Sequence, residues 1–88
     1  DRVYQNAPQA VALVDKSLNR TINIKSQASN STVVWNPWQE SCAKFSDLSA
    51  DDYQRFLCIE NANVFEDSIT IAAGESHTLT AVFNVENN

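Results

Sequence analysis

The alternation of apolar and polar residues predicts the first strands of this chain. Ile22 and Ile24 alternate with polar residues between positions 21 and 25, the pattern of a strand with one buried and one solvated face. An apolar run at residues 11–14 precedes it, and the polar residues 15–19 between the two predict a hairpin. A third strand at residues 32–35 must stop at Asn36, because Pro37 cannot donate to a strand ladder.

The second half of the chain predicts one helical insertion and further strands. Helix is expected between residues 36 and 53, where Ser49 is a candidate N-cap followed by acidic residues in the first turn. The chain then returns to the sheet over residues 55–60. A closing pair of strands is expected at residues 68–72 and 78–85, around a turn at Gly74. This is an all-β, antiparallel sandwich pattern over residues 1–88, read as a single domain with a short helical insertion.

Composition limits the classes of function. The chain has 88 residues, enough for one small domain with a thin core. Six basic and eleven acidic residues give a formal net charge of −5 without a basic cluster, which argues against nucleic acid or an anionic membrane as partner. No apolar run is long enough to span a bilayer. Two cysteines are too few for a zinc site or a disulfide framework, so both are expected to be free thiols, with Cys58 buried in its strand.

Glu60 is the candidate for acid–base chemistry. It follows the apolar run at residues 56–59, and we expect it to close that strand at a partly desolvated cleft. Desolvation raises the pKa of a carboxyl group toward the range useful for a general base. The alternative is a glutamate at a strand end that simply faces water.

Four short motifs in order carry a resemblance to a known family. Residues 1–4 read DRVY, residues 33–38 read VVWNPW, residues 58–60 read CIE and residues 73–75 read AGE. Together they resemble the C-terminal part of the hexose-6-phosphate mutarotases (glucose-6-phosphate 1-epimerases), a branch of the aldose 1-epimerase superfamily. The resemblance implies the C-terminal part of a galactose-mutarotase-like supersandwich. Because family members are much longer, we expect a fragment or processed piece that needs the missing N-terminal part of the protein or self-association.

The resemblance also implies a function and roles for individual residues. The family interconverts the α and β anomers of an aldose phosphate with a glutamate as base, a role carried here onto Glu60, and with a histidine acid from an earlier segment. That histidine has no counterpart, since His77 is expected to be a surface residue, so the chain alone should be inactive. Asp1 matches a family aspartate that approaches sugar hydroxyls. The resemblance further implies a cytoplasmic isomerase of a hexose phosphate or related aldose, with neither metal nor organic cofactor.

The remaining candidate residues have structural alternatives. Trp35 and Trp38 could stack on the apolar face of a sugar, or Trp35 could belong to the core while Trp38 holds the following loop. Asn36 could bind a sugar hydroxyl or simply start a turn. Asp47 is expected to position the insertion. Four other acidic residues are read as a solvated face: Asp51, Asp52, Glu66 and Asp67.

The sequence departs from the family pattern at one place, and it leaves one alternative function open. After Glu60 the chain continues with Asn61-Ala62-Asn63, where many family members have proline and glycine, so the strand end departs from the family pattern. The alternative function is a non-catalytic β-sandwich module that binds carbohydrate or protein through Trp35, Trp38 and the acidic loop.

Overall fold

Six strands and a few short helical turns make up the fold. The computed structural model describes all 88 residues. Its elements are β1 (Arg2–Tyr4), β2 (Ala10–Asp15), β3 (Arg20–Gln27), β4 (Ser31–Trp35), α1 (Trp38–Cys42), β5 (Cys58–Ala62) and β6 (Thr80–Asn87), with 3₁₀ turns at Asp52–Gln54 and Phe65–Asp67.

The strands form two three-stranded antiparallel sheets. The first sheet has the order β1-β4-β5 and the second the order β2-β3-β6. The all-β, antiparallel sandwich class expected from the sequence is therefore confirmed. The chain crosses from the second sheet to the first between β3 and β4, and it returns to the second sheet with β6.

The predicted hairpin is confirmed as β2 and β3, with Val11 opposite Ile24 and Leu13 opposite Ile22. Its turn is organised by Asp15, whose carboxylate accepts hydrogen bonds from the Ser17 hydroxyl at 2.7 Å and the Arg20 Nε at 3.0 Å. These bonds hold the pKa of Asp15 below its ordinary value, the Ser17 bond contributing most.

The helix lies within the expected residues 36–53, but it is short and does not begin at the expected cap Ser49. The α-helix covers only Trp38–Cys42, and the later turn at Asp52–Gln54 is a 3₁₀ helix without a side-chain cap. The expected capping is reversed, because the Ser49 backbone N–H donates to the Asp52 carboxylate at 2.8 Å. Residues 49–53 therefore contribute only a short 3₁₀ turn between α1 and β5.

Two strand predictions also need correction. β5 begins at Cys58 rather than at residue 55, because residue 55 still ends the 3₁₀ turn. Residues 68–72 form no strand, so β6 closes its sheet without the expected partner. The turn that precedes β6 agrees with prediction, since Gly74 has a φ of +81° that favours glycine.

The core is thin and leaves one side of the second sheet open. Only seven residues are buried, and four of these are serine or threonine. Ile24 on β3 is 4% exposed, whereas its β6 partner Phe83 is 61% exposed. Cross-strand partners lie on the same face of a sheet, so one apolar face is covered along β3 and uncovered along β6.

The cysteines are both free, but their burial differs from expectation. Cys42 is fully buried, and its thiol donates to the Ser49 carbonyl at 3.3 Å. Cys58, which was expected to be the buried thiol, is half-buried. Cys42 therefore links two parts of the insertion between β4 and β5.

Candidate functional site

Glu60 lies in the middle of β5, not at its end. β5 continues through Asn61 and Ala62, and Glu60 is the third of its five residues, opposite Val33 of β4. Because Phe56 and Leu57 precede the strand, the apolar run in the sequence marks its approach and its first half. Glu60 is exposed rather than partly desolvated as expected, and its carboxylate forms no ion pair within the chain. The carboxylate is therefore free to accept a proton or a hydrogen bond from a ligand.

The first sheet brings the motif residues to one face. Val33 pairs with Glu60 on one side and with Val3 of β1 on the other, while Trp35 pairs with Cys58. Paired residues of antiparallel strands share a face, and residues two apart on a strand do so too. Glu60 and Trp35 therefore project from the same side of the sheet.

Asp1 falls at the edge of this same region. It immediately precedes β1, whose first pair is Arg2 with Val34, so continuing the register sets Asp1 beside Trp35. With strands about 4.8 Å apart, β1 and β5 are separated by about 10 Å across β4. The outer strands of this sheet thus contribute one carboxylate each to one face, and we call that side, with Asp1, Trp35 and Glu60, the carboxylate face.

Trp35 packs within the chain. Its ring centroid lies 6.3 Å from that of Phe45 in an edge-on contact and 6.1 Å from that of Phe56. The half-buried indole therefore ties the insertion to the end of β4. A contact between Trp35 and a sugar stays a prediction, and the internal packing limits it to the part of the ring that remains accessible.

Asn36 uses its side chain to organise the insertion. Its Nδ2 donates to the carbonyls of Tyr53 at 2.9 Å and Phe56 at 2.7 Å, while its Oδ1 accepts the backbone N–H of Trp38 at 2.9 Å. Both amide protons are used, and only acceptor capacity is left for a ligand. The predicted contact with a sugar hydroxyl thus stays a prediction in which Asn36 can accept but not donate.

Trp38 differs from Trp35 in being 66% exposed. Its φ is +62°, a left-handed conformation that is uncommon for a bulky residue. The ring packs edge-on against Tyr53 with the centroids 4.9 Å apart. This rigid, exposed indole lies at the same end of the first sheet as Trp35.

Asp67 belongs to a polar network that the sequence did not reveal. Its carboxylate accepts the Asn30 backbone N–H at 2.8 Å and the Asn63 Nδ2 at 3.1 Å, and it lies 3.0 Å from the Ser31 hydroxyl. These hydrogen bonds, led by the one from Asn30, hold the pKa of Asp67 below its ordinary value. The prediction that Asp67 belongs to a solvated face is therefore wrong.

His77 joins the same network from the segment before β6. Its Nε2 lies 3.1 Å from the Asn63 Oδ1, and the residue is half-buried rather than on the surface as expected. Asn63 follows the C-terminal end of β5, whereas Trp35 lies opposite the N-terminal end. His77 and the tryptophans thus lie toward opposite ends of β5.

The other acidic residues of the insertion are paired rather than simply solvated. The Arg55 guanidinium lies 3.0 Å from the Asp51 carboxylate and 2.6 Å from that of Asp52. Its hydrogen bonds lower the pKa of both aspartates. Glu66 is exposed, as expected of a residue on a solvated surface. Asp47 is exposed too, and a role for its side chain in positioning the insertion stays a prediction.

The chain has neither a cluster of metal-binding side chains nor a membrane-spanning helix. No group of three or more histidine, cysteine, aspartate or glutamate side chains is arranged to hold a metal ion. No helix combines the length and apolar character needed to cross a membrane.

Comparison with known proteins identifies the family. The family model for aldose 1-epimerase matches residues 1–84. The chain belongs to the aldose 1-epimerase family. This match includes β1, the VVWNPW motif and Glu60, so the resemblance on the four motifs is confirmed.

Individual relatives agree with the family assignment. A protein of Cenchrus ciliaris named "Putative glucose-6-phosphate 1-epimerase" is 35% identical over 75 residues, which cover 85% of this chain and 22% of the relative. Proteins of the same name from Haemophilus influenzae and Escherichia coli are 36% and 35% identical, over 73% and 75% of this chain and 22% of each relative. The chain thus spans about a fifth of the length of these curated relatives. No solved structure matches it.

Proposed function

We propose that this chain is the C-terminal segment of a cytoplasmic hexose-6-phosphate mutarotase, with Glu60 as its general base. The observation that carries the proposal is the exposed, unpaired carboxylate of Glu60 on the face shared with Trp35 and, by register, with Asp1. Family membership supports an isomerase of aldoses. The names of the relatives support glucose 6-phosphate as the substrate, and no metal or organic cofactor takes part in the reaction.

The proposed reaction needs one base and one acid. The Glu60 carboxylate removes the proton of the C1 hydroxyl, the electrons of that O–H bond form the C1 carbonyl, and the bond from C1 to the ring oxygen breaks. An acid protonates the ring oxygen as the bond breaks. Rotation about the bond between C1 and C2 and reclosure from the other face, with both protons returned, give the second anomer.

This chain supplies only half of that pair. His77 is held by Asn63 beyond the far end of β5, so we do not assign it the acid role. The resemblance places the acid histidine and the phosphate-binding arginines in earlier segments of the family. We therefore propose that the chain alone is inactive, and that the remainder of a longer protein, or a second copy, packs on the open β6 side of the second sheet.

The decisive variant is Glu60→Gln in a protein that carries this chain and extends to the length of its relatives. Anomer exchange on glucose 6-phosphate is measured by magnetisation-transfer NMR. Because a general base contributes about 10²- to 10⁴-fold, the variant should lose at least about 100-fold in exchange rate. Folding and sugar binding should be retained, since the Glu60 carboxylate forms no ion pair within the chain.

Glu66→Gln is the matched control, because Glu66 is an exposed glutamate on the Phe65–Asp67 turn. It should exchange anomers at the rate of the unmodified protein. Equal rates for the Glu60 and Glu66 variants would remove the base role. Sugar binding without any exchange in the extended protein would instead favour a non-catalytic carbohydrate-binding module, which the exposure of Trp38 also supports.

A further inference from the structure

We infer that Trp38, held by Asn36 and backed by Tyr53, is the surface on which the apolar face of the sugar ring stacks. This inference rests on the proposed function and assigns it a specific binding residue. Sequence alone leaves both tryptophans as candidates. The structure separates them, because Trp35 is half-buried between two phenylalanines while Trp38 is 66% exposed.

The backbone at Trp38 is held in a conformation that opposes its side chain. A φ of +62° is uncommon in a non-glycine residue, and bulky residues are rare there. The hydrogen bond from the Trp38 N–H to the Asn36 Oδ1 keeps the residue in this turn. Strain of this kind persists where the surrounding structure fixes it and is concentrated at ligand sites.

The indole is also fixed in orientation. Tyr53 contacts it edge-on, with the ring centroids 4.9 Å apart and the planes at 67°. The Tyr53 carbonyl accepts a hydrogen bond from Asn36, so one side chain positions both partners of the aromatic pair. A rigid aromatic surface loses little conformational entropy when a ligand binds, which favours its use in recognition.

The chain spacing and the sheet register limit the distance between Trp38 and Glu60. Trp38 follows Trp35 by three residues, so their Cα atoms are at most about 11 Å apart. Trp35 lies opposite Cys58, and Glu60 is two residues further along β5, or about 7 Å. Trp38 therefore lies beyond the Trp35 end of β4, and a hexose phosphate stacked on it has to extend along the carboxylate face to bring its anomeric carbon to Glu60.

Phe65 provides the matched comparison. It is 73% exposed and has a φ of +52°, so exposure and backbone conformation are the same as at Trp38. It follows the C-terminal end of β5, however, and lies toward the other end of the first sheet from the tryptophans. Replacing either residue with glycine removes a ring without straining the backbone, because glycine accepts positive φ.

The test is a titration of the isotope-labelled chain with glucose 6-phosphate, followed by the indole Nε1–H signals in a two-dimensional NMR spectrum. The chain has two tryptophans, and Trp38→Gly assigns the signals. We expect the Trp38 signal to shift more than that of Trp35. Trp38→Gly should weaken binding about tenfold, read from the remaining amide signals, and Phe65→Gly should leave it unchanged.

Several results would overturn the inference: an unchanged Trp38 signal, a larger shift at Trp35, or equal binding by Trp38→Gly and the unmodified chain. If Trp38→Gly does not fold, Tyr53→Ala is the second variant, and it should weaken binding while broadening the Trp38 signal. The two proposals fail separately. Anomer exchange by the extended protein without a Trp38 shift removes the stacking surface but keeps the mutarotase function, whereas a Trp38 shift without exchange does the reverse.

Discussion

At the residue scale, buried hydroxyl groups at the turn between β3 and β4 hold distant segments of the chain together, as apolar side chains do in larger cores. Ser29 and Ser31 are among the most buried residues, and their hydroxyls lie 2.8 and 2.5 Å from the Ala62 carbonyl at the end of β5. The Ser31 hydroxyl also lies 3.0 Å from the Asp67 carboxylate. A buried polar group is stabilising only when it is hydrogen-bonded, so these small side chains tie three separate segments together.

Ser31→Ala should therefore lower the free energy of unfolding by about 1–3 kcal/mol, because the hydroxyl's hydrogen bonds to the Ala62 carbonyl and the Asp67 carboxylate are lost, and the Val64 N–H loses its acceptor. Urea unfolding followed by tryptophan fluorescence measures the change. Ser46→Ala, at an exposed serine in the insertion, is the control and should change stability by less than about 0.5 kcal/mol. Equal midpoints for the two variants would contradict a structural role for the Ser31 hydroxyl.

The sequence could predict residues with local signals but not this network. Glu60, Asp1 and Trp35 were found because they belong to short motifs, and the sheet register sets them on one face. Asp67 was misread because its partner Asn30 is 37 positions away, and no pattern along the chain records that contact. A serine-rich stretch reads as a polar loop until its distant acceptors are known.

At the scale of elements, the insertion between β4 and β5 is organised by side chains rather than by helix length. α1 has only five residues, too few to be stable without tertiary contacts. Asn36 bonds to Tyr53 and Phe56 near the far end of the insertion, and Cys42 bonds to Ser49. These bonds fold the segment into the short helix α1 and a 3₁₀ turn, so no longer helix forms there.

The variant Asn36→Ala should destabilise the chain by about 1–3 kcal/mol and release Trp38 from its left-handed turn. Thermal unfolding gives the stability, and the emission maximum of tryptophan reports the release. Asn36→Asp keeps the acceptor for the Trp38 N–H but removes the two amide donations, so it should lose stability with Trp38 still held. Gln39→Ala, at an exposed position of α1, is the control and should have the stability and emission maximum of the unmodified chain. The same values for Asn36→Ala would refute the role of Asn36.

At the scale of the whole molecule, aspartates with lowered pKa values make stability depend on acidity. The four are Asp15, Asp51, Asp52 and Asp67. A carboxyl group whose pKa is lower in the folded than in the unfolded state stabilises the fold above its unfolded pKa, and that stabilisation is lost as the pH falls through the folded pKa.

The free energy of unfolding should therefore be constant near neutral pH and fall as the pH drops from about 4 toward 2. Urea midpoints at a series of pH values measure the decline. Asp67→Asn should have a lower midpoint at pH 7 and a shallower acid decline, because one of the shifted carboxyl groups is gone. A decline as steep as that of the unmodified chain would assign the acid sensitivity to the other three aspartates, whose contribution should weaken in high salt where they are exposed.

Strands were predictable where apolar and polar residues alternate along the chain. They were not predictable where a segment's structure depends on residues far away in the sequence. β2, β3 and β4 were predicted from periodicity and from Pro37, and they lie at or near the expected residues. The strand expected at residues 68–72 is missing, because these residues pair with no strand of either sheet. The alternation of apolar and polar residues along a segment does not specify a pairing partner.

The exposure of β6 has a consequence for the aggregation of the chain in solution. All but the first of its eight residues are exposed, one of its edges is unpaired, and it contains neither proline nor glycine. Strands of that kind act as templates for other extended chains and convert slowly into fibrous aggregates. The segment that closes the second sheet is thus also the one from which an irreversible, concentration-dependent loss of the folded protein would start.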